Sequence, residues 1–158
     1  DDISLDDLRG ECVQRVPGCD SQALDFDQCL DLLLALVIAP DMRGYQFVYD
    51  YPRSQAALAR ISASEPDIAE RFELFYDGVE LANGFSELTD AEQQRACFEA
   101  DNSLLAQQGL PQYDIDECLL AALGHGLEDC AGVALGLDRL LMVLLDLDSI
   151  DQVLTFRD

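Results

Sequence analysis

Lysine and tryptophan are absent from the 158 residues, and histidine occurs once, as His125. Positive charge is carried by nine arginines alone, against 32 acidic residues, for a formal charge of −23. Such a surface repels a polyphosphate backbone unless a local basic patch overrides it. Arg9, Arg15, Arg43, Arg53, Arg60, Arg71, Arg95, Arg139 and Arg157 are dispersed, so no basic stripe exists and a nucleic-acid partner is not expected. The acidity reads instead as a solvated surface suited to a salty cytoplasm. A single histidine between Gly124 and Gly126 leaves little scope for a Ser–His–Asp or Cys–His arrangement. The longest apolar stretch, Leu32 to Pro40, is far short of the roughly 20 residues of a membrane-spanning helix. No basic-then-apolar secretion signal is visible. The first residue is Asp1 rather than Met, which suggests a trimmed piece of a longer protein.

Six cysteines are present, Cys12, Cys19, Cys29, Cys97, Cys118 and Cys130, with no C-x-x-C spacing. A zinc site is not expected. Cys97, Cys118 and Cys130 fall in apolar or helical patterns and are expected to be buried free thiols, as in a reducing, cytoplasmic compartment.

Residues 1–44 read as a helical segment. Leu5, Leu8, Cys12 and Val16 have helical spacing, Pro17-Gly18 breaks it, and Phe26 to Ile38 predicts a second, strongly apolar helix. From Tyr45 the texture changes. Tyr45 to Tyr51 is aromatic and β-branched and is stopped by Pro52, as a strand would be. Two alternating runs then flank Asp77-Gly78, which predicts a hairpin with a type I′ turn. Thr89-Asp-Ala-Glu92 has the form of a capping box for a helix to about Gln108, and a short helix fits Ile115 to Leu123. Residues 131–135 predict a buried strand. Gly136 allows a sharp turn into a helix whose Leu137, Leu140, Leu141, Leu144 and Leu145 form one apolar stripe that must pack.

Two places suit chemistry. Arg139 falls in the first turn of that last helix, where its charge joins unpaired N–H groups to favour a phosphate, or else pairs with one of the many acids. Glu80 and Glu87 bracket Leu81-Ala-Asn83-Gly84-Phe-Ser. Seven residues is an odd separation, so an unbroken strand would point the two carboxylates to opposite faces. A bulge at Asn83-Gly84 would bring them together, where they suit Mg²⁺ shared with substrate phosphates; the alternative is two surface acids beside a turn.

Gly132-Val-Ala-Leu-Gly-Leu-Asp-Arg139 resembles the third signature motif of class II aminoacyl-tRNA synthetases. Glu80-Leu-Ala-Asn-Gly-Phe-Ser-Glu-Leu-Thr-Asp90 resembles the segment lysyl-tRNA synthetases carry just before it. Phe47-Val-Tyr-Asp-Tyr-Pro-Arg-Ser-Gln-Ala-Ala-Leu-Ala, Gly109-Leu-Pro-Gln and Asp129-Cys-Ala-Gly-Val-Ala-Leu-Gly are similar to the stand-alone branch of this family, whose members attach (R)-β-lysine to elongation factor P. The likeness covers the chain from about Tyr45 to its end.

The resemblance implies an α+β fold, an antiparallel sheet flanked by helices, with residues 45–158 forming the C-terminal half of a class II catalytic core and residues 1–44 a helical appendage. It implies ATP and Mg²⁺. Arg139 would contact the γ-phosphate, Gly136 would line the nucleotide site, and Glu80 and Leu81 would lie at the ATP and Mg²⁺ position. Glu87 would hold metal or the substrate amine, with Asn83 nearby. Ala134 stands where lysyl-tRNA synthetases usually have Gly, and its methyl group would change which amino acid fits; Thr89 replaces their usual Asn. The implied activity is adenylation of β-lysine and its transfer to elongation factor P, in a parent that is a homodimer. The alternatives are lysyl-tRNA synthesis and a non-catalytic interaction domain on the same scaffold. The first two class II motifs are not in this chain, which is therefore expected to have little activity alone, and one sheet edge is expected to be open.

Overall fold

The computed structural model describes residues 3–156, so Asp1 and Arg157 lie outside it. Four antiparallel strands, β1 (Tyr45–Pro52), β2 (Ile68–Tyr76), β3 (Val79–Ser86) and β4 (Ala131–Leu135), form one sheet in sequence order. Five α-helices accompany them: α1 (Leu5–Arg15), α2 (Phe26–Leu33), α3 (Ala91–Gln107), α4 (Glu117–Gly124) and α5 (Leu137–Leu145). The α+β expectation holds. The chain divides into two compact units, one of residues 1–48, 73–83 and 134–158 and the other of residues 49–72 and 84–133.

In the first unit, α1 and α2 each begin with a capping box, Ser4 with Asp7 and Asp25 with Gln28. Each box satisfies two otherwise unpaired amides. The Ser4 hydroxyl and amide also hold the Asp7 carboxyl below the usual carboxylate range. Leu8, Cys12 and Cys29 are buried between the two helices, with Leu5, Leu24 and Phe26 around them. Burial, with a smaller contribution from the neighbouring Cys29 thiol, pushes Cys12 up to about 11. The apolar run after α2 is not one helix to Ile38. It widens into a π-helical turn, Leu34–Ile38, and tightens into a 3₁₀ turn, Ala39–Asp41, because Pro40 has no N–H to continue an α-helical ladder. Ala39 and Met42 then bury Phe75 of β2.

The predicted hairpin turn is present. Asp77 and Gly78 both have positive φ, 45° and 81°, as a type I′ turn requires. Asp77 anchors it further by accepting the Gly44 amide at 2.7 Å and donating its own to the Gly44 carbonyl at 3.2 Å.

A two-residue turn pairs Tyr76 with Val79, and an unbroken register would then place Glu73 opposite Ala82. Instead the Asn83 side chain reaches Glu73, and Gly84 packs against the Phe72 ring. Strand β3 therefore gains one residue relative to β2 between Val79 and Asn83. Against β4 the register is constant, since Leu81 pairs with Gly136 and Glu87 with Cys130, six residues apart on both strands. The extra residue thus precedes the expected Asn83-Gly84, where the ladder is regular, and the alternation count no longer runs unbroken from Glu80 to Glu87.

In the second unit, the segment 58–61 pairs on both sides, Ala59 with Glu87 and Ile61 with Ala69. Arg60 within it bonds Glu70 and reaches Asp129, and both acids raise its pKa. Arg71 lies 4.4 Å over the Tyr51 ring. Helix α3 starts one residue later than expected, because the Asp90 carboxylate rather than Thr89 accepts the Gln93 amide. Helix α4 starts at Glu117, behind Asp116, which caps it by the same device.

Three burial expectations fail. Strand β4, an edge of the sheet, is exposed along most of its length because little in the described chain packs on its faces. The α5 stripe is also uncovered, with Leu137 and Leu144 70% and 67% exposed. Cys118 and Cys130 are exposed and Cys97 is half-buried, all three as free thiols. Helical periodicity marks an apolar face without saying what covers it.

Candidate functional site

In the first unit, β4 passes through Gly136 directly into α5. The Gly136 amide donates to the Leu81 carbonyl at 2.8 Å, which locks the start of the helix to β3. No side chain caps α5, so its first-turn amides remain available to an anion. Arg139, in the first turn, folds back: its Nη1 donates to the Glu80 carbonyl at 2.9 Å and lies 3.7 Å from Oε2 of Glu80. Both side chains are partly exposed, and Nη1 alone of the guanidinium nitrogens is given a partner.

Leu81 is buried and its carbonyl is taken by Gly136, so its contribution is to hold the backbone. Ala134 is exposed on β4. Asn83 donates from Nδ2 to Oε1 of Glu73 at 3.1 Å. Glu73, only 8% exposed, is the one buried acid among the described residues, and reading the sequence alone missed it. On an alternating strand an acid reads as solvent-facing; the available signal was an amide, Asn83, close to the position it would pair with across the hairpin.

Glu87 belongs to the second unit. Its amide donates to the Cys130 carbonyl at 2.9 Å, Ala59 pairs with it on the other side, and its carboxylate lies over the backbone of Gly132. Among the described residues no group of three or more His, Cys, Asp or Glu could hold a metal ion. A cation at Glu80 would therefore draw most of its oxygens from its ligand and from water, the habit of Mg²⁺ with nucleotide phosphates. No described helix is long and apolar enough to cross a membrane.

A guanidinium and a carboxylate at an uncapped helix start suit a metal-bound polyphosphate. The class II tRNA synthetase family (D, K and N) matches residues 11–158. An elongation factor P–(R)-β-lysine ligase of Edwardsiella ictaluri is 53% identical over 134 residues, covering 84% of this chain and 41% of that protein. Proteins of the same name from Salmonella gallinarum and Klebsiella pneumoniae are 51% identical over the same shares. The chain spans about two fifths of the length of these relatives. With the family match running over nearly its whole length, the chain belongs to the class II tRNA synthetases.

Proposed function

We propose that the chain forms the nucleotide-phosphate and amine-binding part of an ATP-dependent ligase that activates (R)-β-lysine and transfers it to a lysine of elongation factor P. The observation that carries this is Arg139, anchored on the Glu80 carbonyl beside the uncapped start of α5. The names and identities of the relatives support the substrate pair.

In this reading Arg139 and the first amides of α5 bind the terminal phosphates, and Gly136, with no side chain, lets them approach the backbone. Glu80 is the oxygen donor for Mg²⁺ in the first unit. Bound Mg²⁺ would neutralise phosphate charge as the bond to pyrophosphate breaks. Glu87 receives the substrate ammonium, and the Ala134 methyl group narrows the floor on which the amino acid lies. Activation requires positioning and charge stabilisation rather than a protein nucleophile, which accords with a chain whose lone histidine merely ends α4.

The test is amino-acid-dependent ATP–pyrophosphate exchange, with (R)-β-lysine and α-lysine compared. It is run on this chain and on a hybrid in which the chain replaces the matched stretch of the Edwardsiella ictaluri ligase. The hybrid is expected to exchange with (R)-β-lysine in preference to α-lysine and to lose exchange with Arg139→Ala. Unchanged exchange in the arginine variant would falsify the assignment.

A further inference from the structure

We infer that Gly132 is a positioning residue, whose missing side chain leaves the space in which the Glu87 carboxylate is held over β4. A Cβ built on Gly132 would overlap Oε1 of Glu87 and lie 3.5 Å from its Cδ, and it would meet nothing else within 4 Å.

The ordinary reasons for a glycine do not apply here. Gly132 is not among the residues with positive φ, so its backbone conformation is open to any residue. Gly78 is different, since a left-handed φ and the Ala39 carbonyl both forbid a side chain there. At Gly132 the obstructing group is the free end of a flexible side chain, which can rotate away at little cost to folding. Alanine at 132 should therefore fold normally and still evict the carboxylate.

The backbone cannot yield instead. Glu87 is paired on both sides, with Cys130 and Ala59, which pins its strand where the new methyl group would stand. Side-chain rotation is the only relief. A carboxylate swung off its mark loses its charge-assisted bond to an ammonium group, and a displacement of about 1 Å at a substrate-positioning group is costly in rate. The inference rests on Glu87 binding the substrate amine, as proposed above.

The experiment compares Gly132→Ala, Glu87→Gln and the double variant Gly132→Ala/Glu87→Asp, whose shorter acid fits beside the new methyl group. In the chain itself, melting temperature and the ¹³C side-chain carboxyl resonances are recorded, with Glu87 assigned by its loss in Glu87→Gln. Gly132→Ala is expected to leave the melting temperature in place and to shift the Glu87 resonance selectively. In the hybrid ligase it is expected to raise the KM for (R)-β-lysine by about tenfold with the KM for ATP unchanged, the loss of roughly one charge-assisted bond, and the double variant to recover part of it. An unmoved Glu87 resonance, or an unchanged amino-acid KM beside a raised one in Glu87→Gln, overturns the inference and leaves the proposed function standing. A Glu87→Gln hybrid with unaltered KM overturns the role of Glu87 itself.

Discussion

Asn83 and Glu73 face each other across the β2–β3 hairpin, the amide donating to a carboxylate that is almost wholly withdrawn from solvent. A buried acid needs its partners. Asn83→Ala should destabilise the fold by about 1–2 kcal/mol in urea unfolding, with Asn83→Asp worse because it sets a second negative charge beside Glu73.

Arg139 separates stability from activity. Its pairing with Glu80 is half exposed and screened by solvent. Arg139→Ala should change unfolding free energy by less than about 1 kcal/mol. ATP–pyrophosphate exchange by the hybrid ligase should fall by about 100-fold or more, a loss typical of removing one transition-state donor.

Two glycines should respond to alanine with opposite signs. Gly10 lies inside α1 with open space where a Cβ would stand, so Gly10→Ala should stabilise by about 0.5–1 kcal/mol. A Cβ on Gly84 would stand 2.7 Å from the Phe72 ring and 2.9 Å from the Gly132 carbonyl. Gly84→Ala should destabilise by about 1–3 kcal/mol, as overpacking does, and thermal melts of the two variants suffice as the check.

The thiols should sort by burial. Cys12, pushed up to about 11 from an ordinary 9.0 by its surroundings, stays protonated and shielded at pH 8, so iodoacetamide should label the exposed Cys118 and Cys130 first. A raised folded-state pKa contributes stability that is complete below the unfolded value. That stability should fade as pH rises from about 9 towards 11, and Cys12→Ser should flatten this part of the pH profile.

The hairpin was legible because Asp77-Gly78 encodes its turn locally, and the entry to α5 because Gly136 and the leucine spacing do the same. That Arg139 falls in the first turn of α5 followed from placing a strand before a helix; its pairing with Glu80 did not, since any of the many acids could have taken it. Coverage was not legible: the leucines of α5 and the residues of β4 look like core in one dimension, yet they are solvent-facing in the described chain. Nor was the displaced register of β3, since the extra residue is fixed by pairing with β2 rather than by any residue type at the site. Glu73 escaped notice because nothing local to an acidic residue announces a partner ten positions away.

The π-helical turn Leu34–Ile38 has a consequence for deletions. It absorbs one more residue per turn than the helix before it, so trimming a single residue there would let a regular α-helix form in its place. Because the extra residue is spent within that single turn, its removal would leave everything downstream facing nearly the same way, with Ala39 and Met42 still on Phe75. The same one-residue deletion inside α2, which has no such slack, would instead swivel both residues by about 100° around the axis and off the wall beneath β2.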